Sequence, residues 1–112
     1  HVRVDAEDNK LVVLAKATRA RTGVDGAAAI RDLDGRTYAA AAVSLPSLQV
    51  SAIGAAVSMA ISSGAQGLEA VLLNADSPLT QADLIVVLEF AGQGVPVRRV
   101  DSSGVLVEDK LS

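Results

Sequence analysis

The sequence contains no cysteine and a single histidine, His1. Without cysteine the chain forms no disulfide bond and has no thiolate to act as a nucleophile. Zinc sites in proteins are built mainly from three or four cysteine and histidine side chains, and this chain cannot supply three of them. The composition therefore predicts no zinc site. It also predicts no nucleophile activated by a neighbouring histidine, because there is no cysteine and the one histidine is His1.

Aromatic residues are almost absent: the chain has one Phe, one Tyr and no Trp. A core of alanine, valine and leucine buries little area per side chain, so we expect association with another chain to stabilise it. Stacking platforms for nucleic acid are missing, and the net charge is −3. The densest cationic stretch, residues 16–21, ends a predicted helix, where the helix dipole favours cations. Nucleic-acid binding is disfavoured.

Long apolar runs and a signal peptide are also absent. The apolar stretches fall short of the roughly 18 residues that a membrane-spanning helix needs. Asp5, Glu7 and Asp8 occupy the region where a signal peptide would be basic. We therefore expect a cytoplasmic protein without membrane contact, folded as a single domain over residues 1–112.

The first half of the chain predicts a helix, a hairpin and a second helix. Helix one covers residues 6–22, with an Asp5–Asp8 capping pair and a stop at Gly23. The hairpin pairs residues 27–31 with 36–43, and we interpret Asp32 and Asp34 as turn formers. Helix two begins at residues 44–47, with Pro46 in its first turn, and ends before Gly64. It carries a stripe of larger residues, Val50, Ile53, Val57 and Ile61, and a stripe of small ones, Ser51, Gly54, Ser58 and Ser62.

The second half predicts a strand at residues 69–74 and a third helix capped by Thr80 and Asp83. Strands at 96–100 and 105–107 follow, and residues 92–94 end a helix and do not form a phosphate-binding loop. Strands three and four are joined through a helix and should be parallel, with a right-handed crossover. The predicted fold is an α/β three-layer α-β-α sandwich around a mixed five-stranded sheet.

This element order resembles the small homotetrameric cytidine deaminases, zinc enzymes of pyrimidine salvage. The stretches that carry the resemblance are residues 26–28, the hairpin at 34–38, residues 51–56 running on to 63–64, and Ser77-Pro78 with the helix ending at residues 88–90. The resemblance covers residues 10–107. It implies the cytidine deaminase fold and an oligomer, either a dimer or a tetramer.

The resemblance also implies where the zinc site would lie. In that family three Cys or His ligands hold zinc, which activates a water molecule, and a glutamate moves the protons. The first ligand position falls on Ser51 and the glutamate position on Ile53, while the Cys-x-x-Cys pair falls on Leu79 and Ala82. None of the four is a competent zinc ligand or proton shuttle. No metal and no other cofactor is expected, and Asp76 and Asp83 are interpreted as a loop residue and a capping partner.

The nucleoside contacts of the family are changed as well. The asparagine and glutamate that hold the ribose fall near Ala42 and Ser44, and the Phe-Pro-Val-Gly stretch corresponds to residues 23–26, which have no aromatic ring. Without those hydrogen bonds a buried sugar hydroxyl loses about 1–3 kcal/mol. Nucleoside binding is therefore not expected.

Three functions remain open, and we rank them. The first is a catalytically inactive homologue that works as an oligomeric interaction or structural protein with an unidentified protein partner. The second is a small-molecule binding module that keeps a remodelled pocket at the former active site. The third, ranked last, is an enzyme that uses carboxylates.

Overall fold

Five strands form one mixed sheet in the order β2-β1-β5-β6-β7, and a separate hairpin pairs β3 with β4. The computed structural model describes residues 6–112. Strands β5 and β6 are parallel, whereas the other neighbours in the sheet are antiparallel. The predicted mixed five-stranded sheet is confirmed. The elements are α1 Ala6–Thr22, β1 Gly26–Asp32, β2 Thr37–Ala41, β3 Val43–Leu45, β4 Leu48–Val50, α2 Ala52–Ser62, β5 Leu68–Ala75, α3 Gln81–Ala91, β6 Pro96–Val100 and β7 Leu106–Leu111.

Helices cover both faces of the sheet. Alternate residues of a strand point to opposite faces, so β1 and β5 each supply side chains to two cores. Ala28 and Ile30 pack towards α2 and α3, while Ala29 packs towards α1. On the α1 side, Leu11 and Ala15 of the helix complete the smaller core. This arrangement confirms the three-layer α-β-α prediction.

Helix α1 has the predicted bounds. Leu11, Ala15 and Thr18 are buried at helical spacing. The chain leaves the helix at Gly23, whose φ of +72° is in the left-handed region that favours glycine. The predicted cap Asp5 lies outside the described residues.

The β1–β2 hairpin is held by its first turn residue. The buried Asp32 carboxylate accepts hydrogen bonds from the N–H groups of Asp34 and Arg36, both at 2.9 Å, and from the Tyr38 hydroxyl at 2.8 Å. Burial raises the pKa of Asp32, but these hydrogen bonds outweigh it and hold the pKa below its usual value. The interpretation of Asp32 as a turn former is confirmed.

The start of the second helix was predicted wrongly. Residues 44–47 do not begin a helix, because β3 and β4 pair across them, with Ser44 opposite Gln49 and Leu45 opposite Leu48. Proline fits the first central position of a tight turn as well as it fits the first turn of a helix. Pro46 takes the turn position here, and α2 begins only after Ser51.

The two stripes predicted for α2 are also revised. Val50 belongs to β4, and Ile61 is 53% exposed, so the buried face consists of Ile53 and Val57 together with Ala52, Ala56 and Ala60. The small-residue stripe lies on the outer side, where Ser58 and Ser62 are exposed and Gly54 is half-buried.

In residues 6–112 no helix is both long and apolar enough to cross a membrane.

Candidate functional site

The first turns of α2 and α3 meet through a serine and an aspartate. The Ser51 hydroxyl donates to Asp83 Oδ1 at 2.6 Å, and its oxygen accepts the Gly54 N–H at 3.0 Å. Asp83 is only 7% exposed. Its own N–H donates to the Thr80 hydroxyl at 3.1 Å. Two helix starts are thereby joined by one short hydrogen bond between side chains.

Local sequence explains why each of these three residues stands at a helix start. Serine and threonine cap helices because their side-chain oxygens accept free N–H groups of the first turn, as Ser51 and Thr80 do. A carboxylate in the first turn is stabilised by the positive end of the helix dipole. Asp83 occupies this position in α3, and its carboxylate also accepts a hydrogen bond from the Ser51 hydroxyl. The predicted capping role is therefore only part of what Asp83 does.

The segment between β5 and α3 is fixed by an arginine and a glutamate on the last two strands. Arg99 donates to the Ala75 carbonyl at 3.0 Å and forms an ion pair with Glu108. Glu108 accepts the backbone N–H of Leu79 at 2.8 Å. The hydrogen bonds from Arg99 and Leu79 hold the pKa of Glu108 below its usual range. These contacts set where α3 begins relative to the sheet.

The structure places the four residues that the resemblance assigns to a zinc site at or just before the starts of α2 and α3. Ser51 lies at the start of α2 and Ala82 is exposed in the first turn of α3. Ile53 is 0% exposed and Leu79 is buried, and both side chains belong to the core between the sheet and the α2–α3 layer. Their assignment as former ligand and glutamate positions stays a prediction.

Sequence reasoning missed the contact between Ser51 and Asp83. Both residues carried a signal, since each is a capping-type residue at a helix start. Neither signal indicated that the two helix starts lie side by side, because 32 positions separate the residues in the chain.

The donor atoms at this place do not fit the zinc ion that the cytidine deaminase fold implies. Ser51 uses its proton for Asp83 and its oxygen for Gly54, and the Thr80 oxygen is bonded to an N–H. Asp83 is then the one anionic group among these three residues, whereas a catalytic zinc site needs three strong ligands. Within residues 6–112 no group of three or more His, Cys, Asp or Glu side chains is placed to hold a metal ion.

The arrangement has limited chemical capacity. A serine becomes a strong nucleophile when a base such as imidazole takes its proton, and no histidine lies in the described residues. The positions predicted for ribose contacts do not form a binding site with Ser51 and Asp83, since Ala42 packs against the core and Ser44 is exposed in the β3–β4 hairpin. The hydrogen bonds of Ser51 and Asp83 are therefore of the kind that position helices.

The comparison with families of known proteins gives a match over most of the chain. Residues 4–104 match the family described as cytidine deaminase-like. No curated protein sequence matches the chain.

Solved structures with the same architecture are cytidine deaminases. The one from Burkholderia pseudomallei is 19% identical, with a TM-score of 0.79 over 93% of this chain and 90% of that chain. The one from Mycobacterium leprae is 20% identical, with a TM-score of 0.72 and 94% of each chain covered. That from Mycobacterium tuberculosis is 24% identical, with a TM-score of 0.72 over 83% of this chain and 85% of that chain. These likenesses show a shared fold, and with the family match over residues 4–104 they place this chain in the cytidine deaminase-like family.

Proposed function

We propose that this chain is a catalytically inactive member of its family that acts as an oligomeric interaction or structural protein. The observation that carries the proposal is that Ile53 is fully buried in the core, and the resemblance assigns this position to the catalytic glutamate. An alkyl side chain cannot transfer a proton, and burial leaves no room there for a water molecule to replace it. Cytoplasmic location stays a prediction from the sequence.

A carboxylate-based enzyme has little support at this site. Two carboxylates contact the predicted site positions, and both are engaged: Asp83 accepts the Ser51 hydroxyl, and Glu108 accepts the Leu79 N–H and pairs with Arg99. Deamination needs both a hydroxide equivalent and a proton shuttle, and two carboxylates held by these partners supply neither. The third hypothesis therefore keeps its last rank.

The binding-module alternative needs an open cavity with polar groups around the aligned positions. Ile53 and Leu79 instead lie in one core cluster with Ala52, Val57 and Val87. A cluster of buried alkyl side chains supplies neither volume nor hydrogen-bond partners for a polar ligand. This packing favours the interaction protein over the binding module.

The outer side of the α2–α3 layer supports a protein contact. Large apolar side chains are exposed on both helices, with Met59 and Ile61 on α2 and Ile85 and Leu88 on α3. Ser58 lies beside Met59 and lets another backbone approach closely. A surface with these properties is typical of association between protein chains.

An assay on cytidine and deoxycytidine tests the inactivity. We expect no deamination above the rate without protein, because the aligned positions supply neither a zinc-bound hydroxide nor a proton shuttle. An active cytidine deaminase assayed in parallel is the positive control. Turnover that is present in the purified chain and lost in Asp83→Asn would contradict the proposal and assign catalysis to Asp83.

Sedimentation velocity tests the oligomer. At about 10 µM we expect a dimer or tetramer, since small apolar cores gain stability from association. Ser58→Arg introduces a long charged side chain on the outer side of α2 and should shift the protein towards monomer. Ser103→Arg is the matched control, because Ser103 is exposed in the β6–β7 turn, away from that layer. A monomeric unmodified chain at this concentration would count against the proposal.

A further inference from the structure

A cleft of about 380 Å³ lies on the α1 side of the sheet. It is bounded by the last turns of α1, the end of β5 and the turn between β6 and β7. Its polar lining comes from Lys16, Arg19, Asn74 and Ser102, and its apolar lining includes Ala20 and Val24. Because α1 covers the face of the sheet opposite to α2 and α3, this cleft is distinct from the Ser51–Asp83 contact.

The charge of the cleft is opposite to that of the chain. The whole chain carries a net charge of −3, but the lining contains two cations and no carboxylate residue. Two acidic side chains lie near the cleft. Asp76 contacts Arg19 at 3.5 Å and accepts the Ser102 N–H at 3.3 Å, and Asp101 accepts the N–H groups of Ser103 and Val105.

Neither cation is fully paired. Within residues 6–112 Lys16 forms no ion pair. Its ammonium nitrogen lies beside Gly104 in the β6–β7 turn, 3.5 Å from the position that a Cβ atom on this glycine would occupy. Arg19 contacts Asp76 at 3.5 Å and the Asn74 amide oxygen at 3.5 Å. Charge-assisted hydrogen bonds normally measure about 2.7–2.9 Å, so these contacts leave most of the guanidinium donors available.

The end of α1 accounts for only one of these two cations. A helix dipole favours cations within its last turn, which contains Arg19, whereas Lys16 lies six positions before Thr22, the last residue of α1. Carbonyl oxygens near the end of the helix are already bonded: the Arg19 carbonyl accepts the Gly23 N–H at 2.9 Å, and the Thr18 carbonyl accepts the Thr22 hydroxyl at 2.7 Å. Both cationic side chains extend across towards the sheet and the β6–β7 turn.

A buried asparagine forms a rigid wall of the cleft. Asn74 is 2% exposed because it follows Ala70 and Leu72 on the face of β5 that packs against α1, and it is a polar side chain on this otherwise apolar face. Its amide nitrogen donates to the Asp101 carbonyl at 2.8 Å, while its oxygen faces the Arg19 guanidinium. A buried amide must be hydrogen-bonded to avoid a large desolvation penalty, and these bonds hold Arg19 at the edge of the cleft.

We propose that this cleft binds a small molecule with a phosphoryl group. A phosphomonoester carries a charge of about −1.5 to −2 near pH 7, which matches two cations better than a monocarboxylate does. Lys16 supplies a point charge, and the planar Arg19 guanidinium supplies paired donors to two phosphoryl oxygens. The apolar wall at Ala20 and Val24 leaves room for a short organic group attached to the phosphate.

Titration followed by ¹H–¹⁵N NMR tests this site, with inorganic phosphate, ethyl phosphate and propionate as probes at constant ionic strength. We expect saturable shifts of the Ala20, Gly23, Val24 and Ser102 amides, with a dissociation constant of about 1 mM or lower for ethyl phosphate. Propionate should bind at least about tenfold more weakly because it carries a single charge.

Charge variants make the test specific. Lys16→Gln and Arg19→Gln should each weaken ethyl phosphate binding by about fivefold or more. Arg21→Gln is the matched control, since Arg21 is an exposed cation of the same helix outside the cleft lining, and it should leave binding unchanged. The proposal is overturned by shifts that do not saturate up to about 20 mM. Equal binding of propionate, or binding unaffected by both glutamine variants, overturns it as well.

Discussion

Replacing Ile53 with glutamate should destabilise the protein by about 3–5 kcal/mol, the range for an unpaired charge in a protein interior. The Ile53 side chain is fully buried among alkyl groups, and the substitution also removes its apolar contacts. A carboxylate near the start of α2 gains up to about 1 kcal/mol from the helix dipole, which does not offset the loss. Urea denaturation of the two proteins measures the difference.

Two variants calibrate this result. Val13→Glu introduces the same charge on helix α1, outside the α2–α3 layer, at a side chain that is 61% exposed, and should change the free energy of unfolding by less than about 0.5 kcal/mol. Ile53→Val keeps the site apolar and should cost about 0.5–1.5 kcal/mol. If Ile53→Glu proves as stable as Val13→Glu, position 53 opens into a space that accepts a carboxylate, and the filled-core account is wrong.

Replacing Asp8 with alanine should cost about 1.5–3 kcal/mol, because two largely buried arginines lose their charge-assisted hydrogen bonds to this carboxylate while each keeps a second acidic partner. Asp8 is 5% exposed. Its two oxygens bind Arg31 at 3.1 Å and Arg98, and those arginines in turn bind Glu69 and Asp109. The resulting chain of charges joins the start of α1 to strands β1, β5, β6 and β7.

The neighbouring Glu7 supplies the control for Asp8. Its carboxylate is exposed and lies 3.7 Å from the exposed Lys10 ammonium. Pairs of this kind contribute about 0.2–0.5 kcal/mol, so Glu7→Ala should leave the thermal midpoint nearly unchanged. Equal effects of the two alanine variants would show that the Asp8 carboxylate contributes no more than a surface charge.

Much of the fold could be predicted because its boundaries have strong local signals. Asp34-Gly35 marks a hairpin turn, Thr80 caps α3, and Gly23 ends α1 with a positive φ. The β3–β4 hairpin could not be predicted in this way. Its strands of three residues are too short to show alternation, and Pro46 satisfies both a helix start and a turn.

The site was less accessible to sequence reasoning than the fold. The composition of these 112 residues, with no cysteine and one histidine, predicts that they supply no three-ligand Cys/His zinc site. The side-chain bond between Ser51 and Asp83 depends on how two helices pack, and this long-range contact leaves no local pattern. The burial of Ile53 was predicted from its stripe, whereas the exposure of Ile61 was not. Eight residues of helix turn Ile61 about 80° away from Ile53, so the buried face continues through Ala60 instead.

The zinc content of the purified protein tests the proposed loss of the catalytic site most directly. The chain is produced in zinc-supplemented medium, purified without chelators, and analysed by mass spectrometry of its metals beside a zinc-containing cytidine deaminase treated identically. Asp83 and Glu108 are both engaged by other side chains, and residues 6–112 contain no cysteine or histidine, so we predict fewer than about 0.1 zinc ions per chain. About one zinc ion per chain, retained through gel filtration, would contradict the account.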